Sequence, residues 1–138
     1  MSKQKNEELQ KKYLELQIIV QQINNLQQQF SNIQNQILEL NNLKESLNSI
    51  KDIKENSDSF VPIGFNIFTK AKLHDTNELL VNVGSNVFVI KTVEETNSLI
   101  NSQINQIEFI IKEMEDKLHE LEKSGELLQS QIMEMSNK

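Results

Sequence analysis

Two long segments of this chain carry hydrophobic residues at the seven-residue spacing of a coiled coil. The first segment has two such lines: Leu9, Leu16, Ile23, Phe30 and Ile37, with Ile19, Leu26, Ile33, Leu40 and Leu47. The second segment also has two: Ile104, Ile111, Leu118 and Ile132, with Ile100, Ile107, Met114, Leu121, Leu128 and Met135. Each line needs a covering helix, so the pattern predicts that the segments fold back on each other as an antiparallel helical hairpin.

The first segment predicts one continuous helix over residues 3–56, because no glycine or proline interrupts it. Near its end, Leu43 follows Leu40 after only three residues, as Leu40 follows Ile37. Two successive spacings of three predict a local overwinding of the coil.

The second segment predicts a helix over residues 92–136. Thr92 and Glu95 match the capping-box pattern, which marks the first turn of a helix. Gly125 occupies a seam position where a hydrophobic residue is expected. The pair Ser124–Gly125 permits a kink or a frayed end before the helix tip, and the sequence leaves open whether Gly125 kinks the helix.

Residues 57–91 are rich in β-branched and aromatic types, with Pro62, Gly64 and Gly84 at the breaks. This pattern predicts four short strands, over 60–63, 66–73, 78–83 and 87–91, paired as two hairpins. Isolated hairpins leave strand edges open, and proteins cover or pair such edges. We predict an α+β fold, in which a long antiparallel coiled-coil hairpin carries two β-hairpins at its base that assemble into an oligomeric β-barrel. The residues expected to form this assembly are Phe60, Val61, Ile63, Leu79, Val81, Val83, Val87 and Val89.

Charge and composition narrow the range of functions. The 138-residue chain has a net charge of −6 and no arginine, which argues against binding to nucleic acid phosphates. It has no cysteine, so nothing requires an oxidising compartment. No apolar run is long enough to span a membrane, and residues 1–10 are too polar for a signal peptide. We expect a soluble, cytoplasmic protein that binds neither nucleic acid nor membrane.

Catalytic chemistry finds little support in the residues. His74 and His119 are the only histidines, and His119 has Glu115, Asp116 and Glu120 close to it on one helix. A metal site needs more converging ligands than these, so a solvated histidine is the expectation. Three glycines in the whole chain cannot build a phosphate-binding loop. We predict no enzymatic activity, no cofactor and no metal.

The free ends of the two helices are the strongest candidates for a binding site. If Asn56 and Val93 lie side by side at the base, equal rise per residue places Met135 level with Leu14. The hydrophobic residues near these ends that fall outside the seam lines are Tyr13, Ile18, Val20, Leu127 and Met133. Exposed apolar residues in one region suggest a binding surface, although single ones are ordinary on any protein.

Four short motifs are the most distinctive part of the chain. They are Phe60-Val61-Pro62-Ile63-Gly64, Lys70-Ala71-Lys72-Leu73 followed by Asp75, Leu80-Val81-Asn82-Val83-Gly84, and Lys91-Thr92 at the start of the second helix. Together they resemble the alpha-class subunit of prefoldin. The chain departs from the family at Gly84-Ser85-Asn86, where the family often has Gly-x-Gly, but asparagine tolerates the left-handed conformation.

The resemblance implies an ATP-independent holdase that grips unfolded client proteins with its coiled-coil tips and delivers them to a group II chaperonin. It also implies prefoldin beta-class subunits as partners, in a hexamer of two alpha and four beta subunits with a double β-barrel; a homo-oligomer stays open. The rival interpretation is a structural coiled-coil scaffold or tether that holds specific folded partners. The residues expected to bind clients are Leu9, Tyr13, Ile18, Val20, Leu127, Leu128, Ile132, Met133 and Met135.

Overall fold

Over its described residues, the chain contains two long helices with four short strands between them. The computed structural model describes residues 2–137. The elements are α1 (Ser2–Lys51), β1 (Ser57–Gly64), β2 (Ile67–Leu73), β3 (Leu79–Gly84), β4 (Val87–Lys91) and α2 (Val93–Ser136). The strands form two separate antiparallel hairpins, β1 with β2 and β3 with β4. The predicted arrangement of two helices and two β-hairpins is confirmed.

The described residues form two compact units, and each helix contributes to both. The helical unit comprises residues 2–36 of α1 and residues 106–137, which contain the second part of α2. The strand unit comprises residues 37–105, which include both hairpins and the adjoining ends of the helices. Each unit has its own contacts between α1 and α2.

The first helix ends earlier than its sequence predicts. It stops at Lys51 rather than at residue 56, and β1 begins at Ser57 rather than at residue 60. Asn56 has a positive φ of 62° and donates its backbone N–H to the carbonyl of Leu73, at 2.6 Å. Residues 52–56 form turns between α1 and β1: the backbone N–H groups of Asp52 and Ile53 donate to the carbonyls of Ser49 and Ile50, and that of Ser57 donates to the carbonyl of Lys54. Local helix propensity alone would have continued α1 through these residues.

The helix register follows from this early end. In the strand unit the Lys51 ammonium lies 2.7 Å from the Glu94 carboxylate. In the helical unit Lys12 Nζ donates to Gln131 Oε1, also at 2.7 Å. Gln131 rather than Met135 is therefore found opposite this part of α1, and the expectation that Met135 lies level with Leu14 is wrong by several residues. The helices run antiparallel, as predicted.

The seam of α1 stays regular where an overwinding is predicted. Leu43 is 46% exposed, whereas the neighbouring Lys44 is half-buried. The covered positions are therefore Ile37, Leu40, Lys44 and Leu47, at spacings of three, four and three. Lysine can cover apolar surface with its aliphatic stem and keep its ammonium group in water. Lys44 thus fills the seam position that Leu43 was expected to occupy.

The core of the strand unit lies where the two helices meet β3. Its buried residues are Leu47, Val93, Ile100 and Ile104, and Leu40, Ile50 and Leu79 pack against them. Val93, the first residue of α2, is 0% exposed. The start of α2 is therefore anchored by hydrophobic burial.

A capping box fixes the start of α2, as predicted. The Glu95 backbone N–H donates to Thr92 Oγ1 at 3.1 Å, and the Thr92 backbone N–H donates to Glu95 Oε1 at 3.2 Å. The pKa of the Glu95 carboxyl is lowered, first by the backbone N–H of Thr92 and then by its side chain. The folded state thus favours the ionised carboxylate.

This lowered pKa predicts a pH dependence that Glu95→Gln should remove. A carboxyl whose pKa falls on folding stabilises the protein above the pKa of the unfolded chain, about 4.3, and loses that contribution as the pH falls through its folded pKa. Glutamine can accept the same hydrogen bond without titrating. In urea unfolding at pH 7, 4 and 3, any advantage of the parent over the variant should shrink below about pH 4. An unchanged difference in unfolding free energy across this range would contradict the prediction.

Gly125 does not interrupt α2, which runs unbroken to Ser136. A methyl group added at Gly125 would lie 3.6 Å from Ile19 Cγ2 and 3.9 Å from Leu16 Cδ1, both ordinary contact distances. The helix is therefore not interrupted at Gly125, and side chains of the opposite helix lie within contact distance of this position.

Gly125→Ala is therefore expected to stabilise the chain by about 1 kcal/mol, the difference between the two residues in a helix interior. Gly125→Leu should gain less than alanine, since its longer side chain meets Leu16 and Ile19. Urea unfolding followed by circular dichroism measures both variants. A leucine variant more stable than the alanine variant would show that the seam has room that the parent leaves empty.

Candidate functional site

The predicted off-seam residues are exposed in the helical unit. Tyr13, Ile18, Val20, Leu127 and Met133 have exposed fractions between 48% and 66%. The Lys12–Gln131 hydrogen bond lies among them, because it joins residues next to Tyr13 and two before Met133. The structure thus brings hydrophobic side chains of both helices together near the start of α1 and the end of α2.

Four other residues predicted to bind clients lie between the helices. Leu128 and Ile132 are buried, and Leu9 and Met135 are half-buried. All four belong to the seam lines, which the opposite helix covers. Their part in client binding stays a prediction, but they do not form an open surface in this structure.

Leu14 is an exposed residue that the sequence reasoning missed. It is 60% exposed and lies four residues before Ile18, so the two side chains are neighbours on one helix face. Its position outside both seam lines is the signal that could have identified it. We define the tip surface as Tyr13, Leu14, Ile18, Val20, Leu127 and Met133. Ile18 and Val20 point to different sides of α1, so the tip surface has more than one face.

The charges near the tip surface are distributed unevenly between the helices. From Leu16 to Leu38, α1 has no charged residue and is rich in glutamine and asparagine. Between residues 106 and 137, α2 has eight acidic residues and three lysines. Amides can hydrogen-bond to the backbone of an extended chain, and an uncharged helix carries no charge to desolvate. This part of α1 suits contact with a polypeptide of varied sequence.

The second candidate surface is formed by the outward faces of the hairpins. In the β3–β4 hairpin, Leu80 pairs with Ile90, and Asn82 pairs with Phe88. In the β1–β2 hairpin, Phe60 pairs with Lys70, and Pro62 pairs with Phe68. The hydrophobic residues of these pairs are exposed and form the hairpin faces: Phe60, Phe68, Leu80, Phe88 and Ile90.

The structure divides the predicted assembly residues into two groups. Phe60, Ile63, Val83 and Val87 are exposed, whereas Val61, Leu79, Val81 and Val89 are half-buried. Leu79 packs on the helix core, and this contact selects the inner face of the β3–β4 hairpin. Alternation along a strand defines two faces but not which one is covered, so the sequence reasoning missed Phe68, Leu80, Phe88 and Ile90.

We searched the described residues for a metal site, a catalytic groove and a membrane-spanning helix. Within residues 2–137, no group of three or more histidine, cysteine, aspartate or glutamate side chains is placed to hold a metal ion. A shallow groove of about 240 Å³ between α1 and α2 is lined by Gln22, Asn25, Leu26, Gln29, Lys117 and Leu121. This lining has no nucleophile paired with a base. Neither helix, over its described residues, is long and apolar enough to cross a membrane.

Comparisons with known proteins agree with this architecture. A search of curated proteins finds no match to this sequence. Among solved structures, a chain of the filamentous PFD from Methanocaldococcus jannaschii, determined by cryo-EM, matches with a TM-score of 0.77 and 23% identity, over 83% of this chain and 95% of that chain. The prefoldin beta subunit from Thermococcus strain KS-1 matches with a TM-score of 0.56 and 18% identity, over 92% of this chain and 90% of that chain. At such identities, these structures show similarity of fold alone.

The family assignment has separate support. The family described as Prefoldin subunit matches residues 19–138. This range includes both hairpins, all of α2, and Val20, Leu127 and Met133 of the tip surface. The match therefore covers the strand motifs and the antiparallel helices together. This chain belongs to the prefoldin subunit family, a family of chaperones.

Proposed function

We propose that this chain is an alpha-class prefoldin subunit and acts as an ATP-independent holdase for non-native proteins. The observation that carries the proposal is the tip surface, where two helices of a chaperone-family chain expose six hydrophobic side chains. A non-native chain exposes apolar residues that can be buried against such a surface, at about 25 cal/mol per Å². Two hairpins rather than one support the alpha class.

The hairpin faces support assembly with other subunits. Each hairpin is a two-stranded sheet with open edges, and two-stranded hairpins are at best marginally stable in water. The expected partners are beta-class prefoldin subunits, in a hexamer of two alpha and four beta subunits. The alternative mode of assembly is self-association of this chain. The similarity of its fold to that of a filamentous archaeal PFD supports keeping this alternative.

The proposal also covers client transfer, cellular location, the absence of catalysis and the division of the chain into segments. Client transfer to a group II chaperonin and a cytoplasmic location follow from the family resemblance. A role without catalysis agrees with an amide-rich helix surface and an exposed apolar tip surface, which suit binding rather than bond-making. The division into two coiled-coil segments and a central assembly segment is also part of the proposal.

Aggregation of a chemically denatured enzyme, followed by light scattering after dilution, tests the proposed function. The purified chain, alone and mixed with a beta-class prefoldin subunit, should suppress aggregation without ATP. Adding a group II chaperonin and ATP should then restore activity of the enzyme. Absence of suppression by both preparations would overturn the holdase proposal, and selective binding to a folded protein would then favour a scaffold or tether.

A further inference from the structure

The turn between β1 and β2 presents a phenylalanine fully to water. Phe65 is 101% exposed and has a backbone φ of +50°. A positive φ is disfavoured for a bulky residue, because its Cβ crowds the following carbonyl oxygen. Neither side-chain burial nor backbone preference within this chain accounts for a phenylalanine at this position. Unfavourable backbone conformations of this kind occur at functional sites.

The turn between β3 and β4 serves as an internal reference. The three successive turn residues have φ values of +132°, +50° and +60° in the first hairpin, and +127°, +51° and +60° in the second. Both turns follow a shift in strand register, and the residue that corresponds to Phe65 is Ser85. Serine therefore suffices for this backbone conformation, so the turn itself does not require phenylalanine. A contact with another molecule would account for the phenyl ring.

The surroundings of Phe65 are hydrophobic and uncharged. Ile63 and Ile67, which flank the turn, are both more than half exposed. From Ser59 to Thr69 the sequence has no charged residue. We define the turn knob as Ile63, Phe65 and Ile67. Burying it against another surface would desolvate no charge.

A recess elsewhere in the strand unit is suited to receive the knob. It has a volume of about 350 Å³ and lies between the β3–β4 hairpin and α2, lined by Asn82, Val83, Gly84, Leu99 and Gln103. Clefts that hold small ligands span roughly 300–1,000 Å³, so a single aromatic ring is a reasonable occupant. Like the turn knob, this lining is uncharged. Val83 and Leu99 supply apolar contact, and glycine at position 84 leaves space beside them.

We propose that Phe65 of one copy of this chain inserts into the recess at Val83 and Leu99 of a second copy. This inference rests on the proposed assembly through the hairpins and adds a specific contact to it. A buried phenylalanine covers about 150–250 Å², well below the roughly 800 Å² per partner of a standard interface. The ring therefore sets specificity and orientation, while the adjacent hairpin faces supply most of the buried area.

The contact joins two different patches, so each copy presents both a knob and a recess. Two copies can exchange knobs reciprocally about a two-fold axis, which gives a closed dimer, or the contact can continue from copy to copy as a ring or a filament. This property permits a complementation experiment. A copy that lacks only the knob and a copy whose recess is filled should still form one contact with each other.

The variants are Phe65→Ser, which copies the second turn, and Phe65→Asn, since asparagine already has positive φ at positions 56, 66 and 86. Val83→Trp fills the recess. Phe109→Ser, at an exposed phenylalanine of the helical unit, is the matched control. Sedimentation velocity at graded concentrations should show self-association weakened at least ten-fold by either Phe65 variant and by Val83→Trp, and unchanged by Phe109→Ser. Circular dichroism should show full strand and helix content in all.

Mixing the Phe65→Ser and Val83→Trp chains should yield dimers, by native mass spectrometry, and no larger species. Parent-like association of both Phe65 variants, or a mixture that stays monomeric, would overturn the proposal. If the parent is monomeric alone but Phe65→Ser weakens binding to a beta-class subunit, the knob docks on a related subunit and the second-copy occupant is wrong. A parent that associates with neither would contradict the proposed assembly itself.

Discussion

Replacing the six side chains of the tip surface with glutamine is expected to raise at least ten-fold the amount of chaperone needed for half-suppression of aggregation. Every ~40 Å² of apolar surface that a client can no longer bury weakens its binding by about 1 kcal/mol, and each 1.4 kcal/mol is a factor of about ten. Several subunits acting on one client multiply the loss through effective concentration. Glutamine keeps helix propensity and already fills many exposed positions of α1.

A second variant controls for the general loss of exposed hydrophobic surface. Leu38, Leu43, Phe109 and Ile110 are also exposed on the helices, but far along the sequence from the ends that form the tip surface. Changing these four to glutamine should leave suppression within about two-fold of the parent. Circular dichroism and native mass must be parent-like for both variants. Equal suppression by the tip variant and the parent would show that clients bind elsewhere.

Removing the hairpins is expected to abolish assembly while the helices stay paired. The change replaces residues 57–91 with a short Gly/Ser linker. A short linker suffices, since the Lys51–Glu94 ion pair places the end of α1 beside the start of α2. The buried residues Leu47, Val93, Ile100 and Ile104 remain and keep the helices together. Sedimentation velocity should show a helical monomer where the parent forms an oligomer, alone or with a beta-class subunit.

A variant with five substitutions tests whether the hairpin faces, rather than the rest of residues 57–91, drive assembly. Changing Phe60, Phe68, Leu80, Phe88 and Ile90 to threonine keeps β-propensity and leaves the half-buried residue Leu79 in place. This variant should also lose assembly. If the deleted chain still forms the parent oligomer, the helices are the assembling element and the hairpin faces have another role.

Local patterns predicted much of this fold. Heptad spacing identified both helices and their antiparallel pairing, because the covered stripe of a helix repeats along the chain. Thr92 and Glu95 identified the start of α2, since a capping box is a contact between near neighbours. Glycine and asparagine identified the two turns, where the backbone takes positive φ. The off-seam positions likewise predicted five of the six residues of the tip surface.

The remaining features depend on contacts between distant residues. α1 ends at Lys51, turns follow it, and Asn56 then bonds to the distant residue Leu73, but no glycine or proline marks this end in the sequence. Lys44 is a different case: it follows Ile37 at the seven-residue spacing, so the heptad register alone identifies it, rather than Leu43, as the covered residue.

The sequence by itself determined which segments are helix or strand, which residues can face a partner, and the family to which the chain is similar. The tertiary structure decided the register of the helices, the uninterrupted course of α2 through Gly125, and the covered side of the β3–β4 hairpin. The physical reason is that periodicity and turn chemistry act between neighbours in the chain. Whether a side chain is buried depends on which residues pack against it. Those residues are distant in the sequence, so the folded structure is needed to identify them.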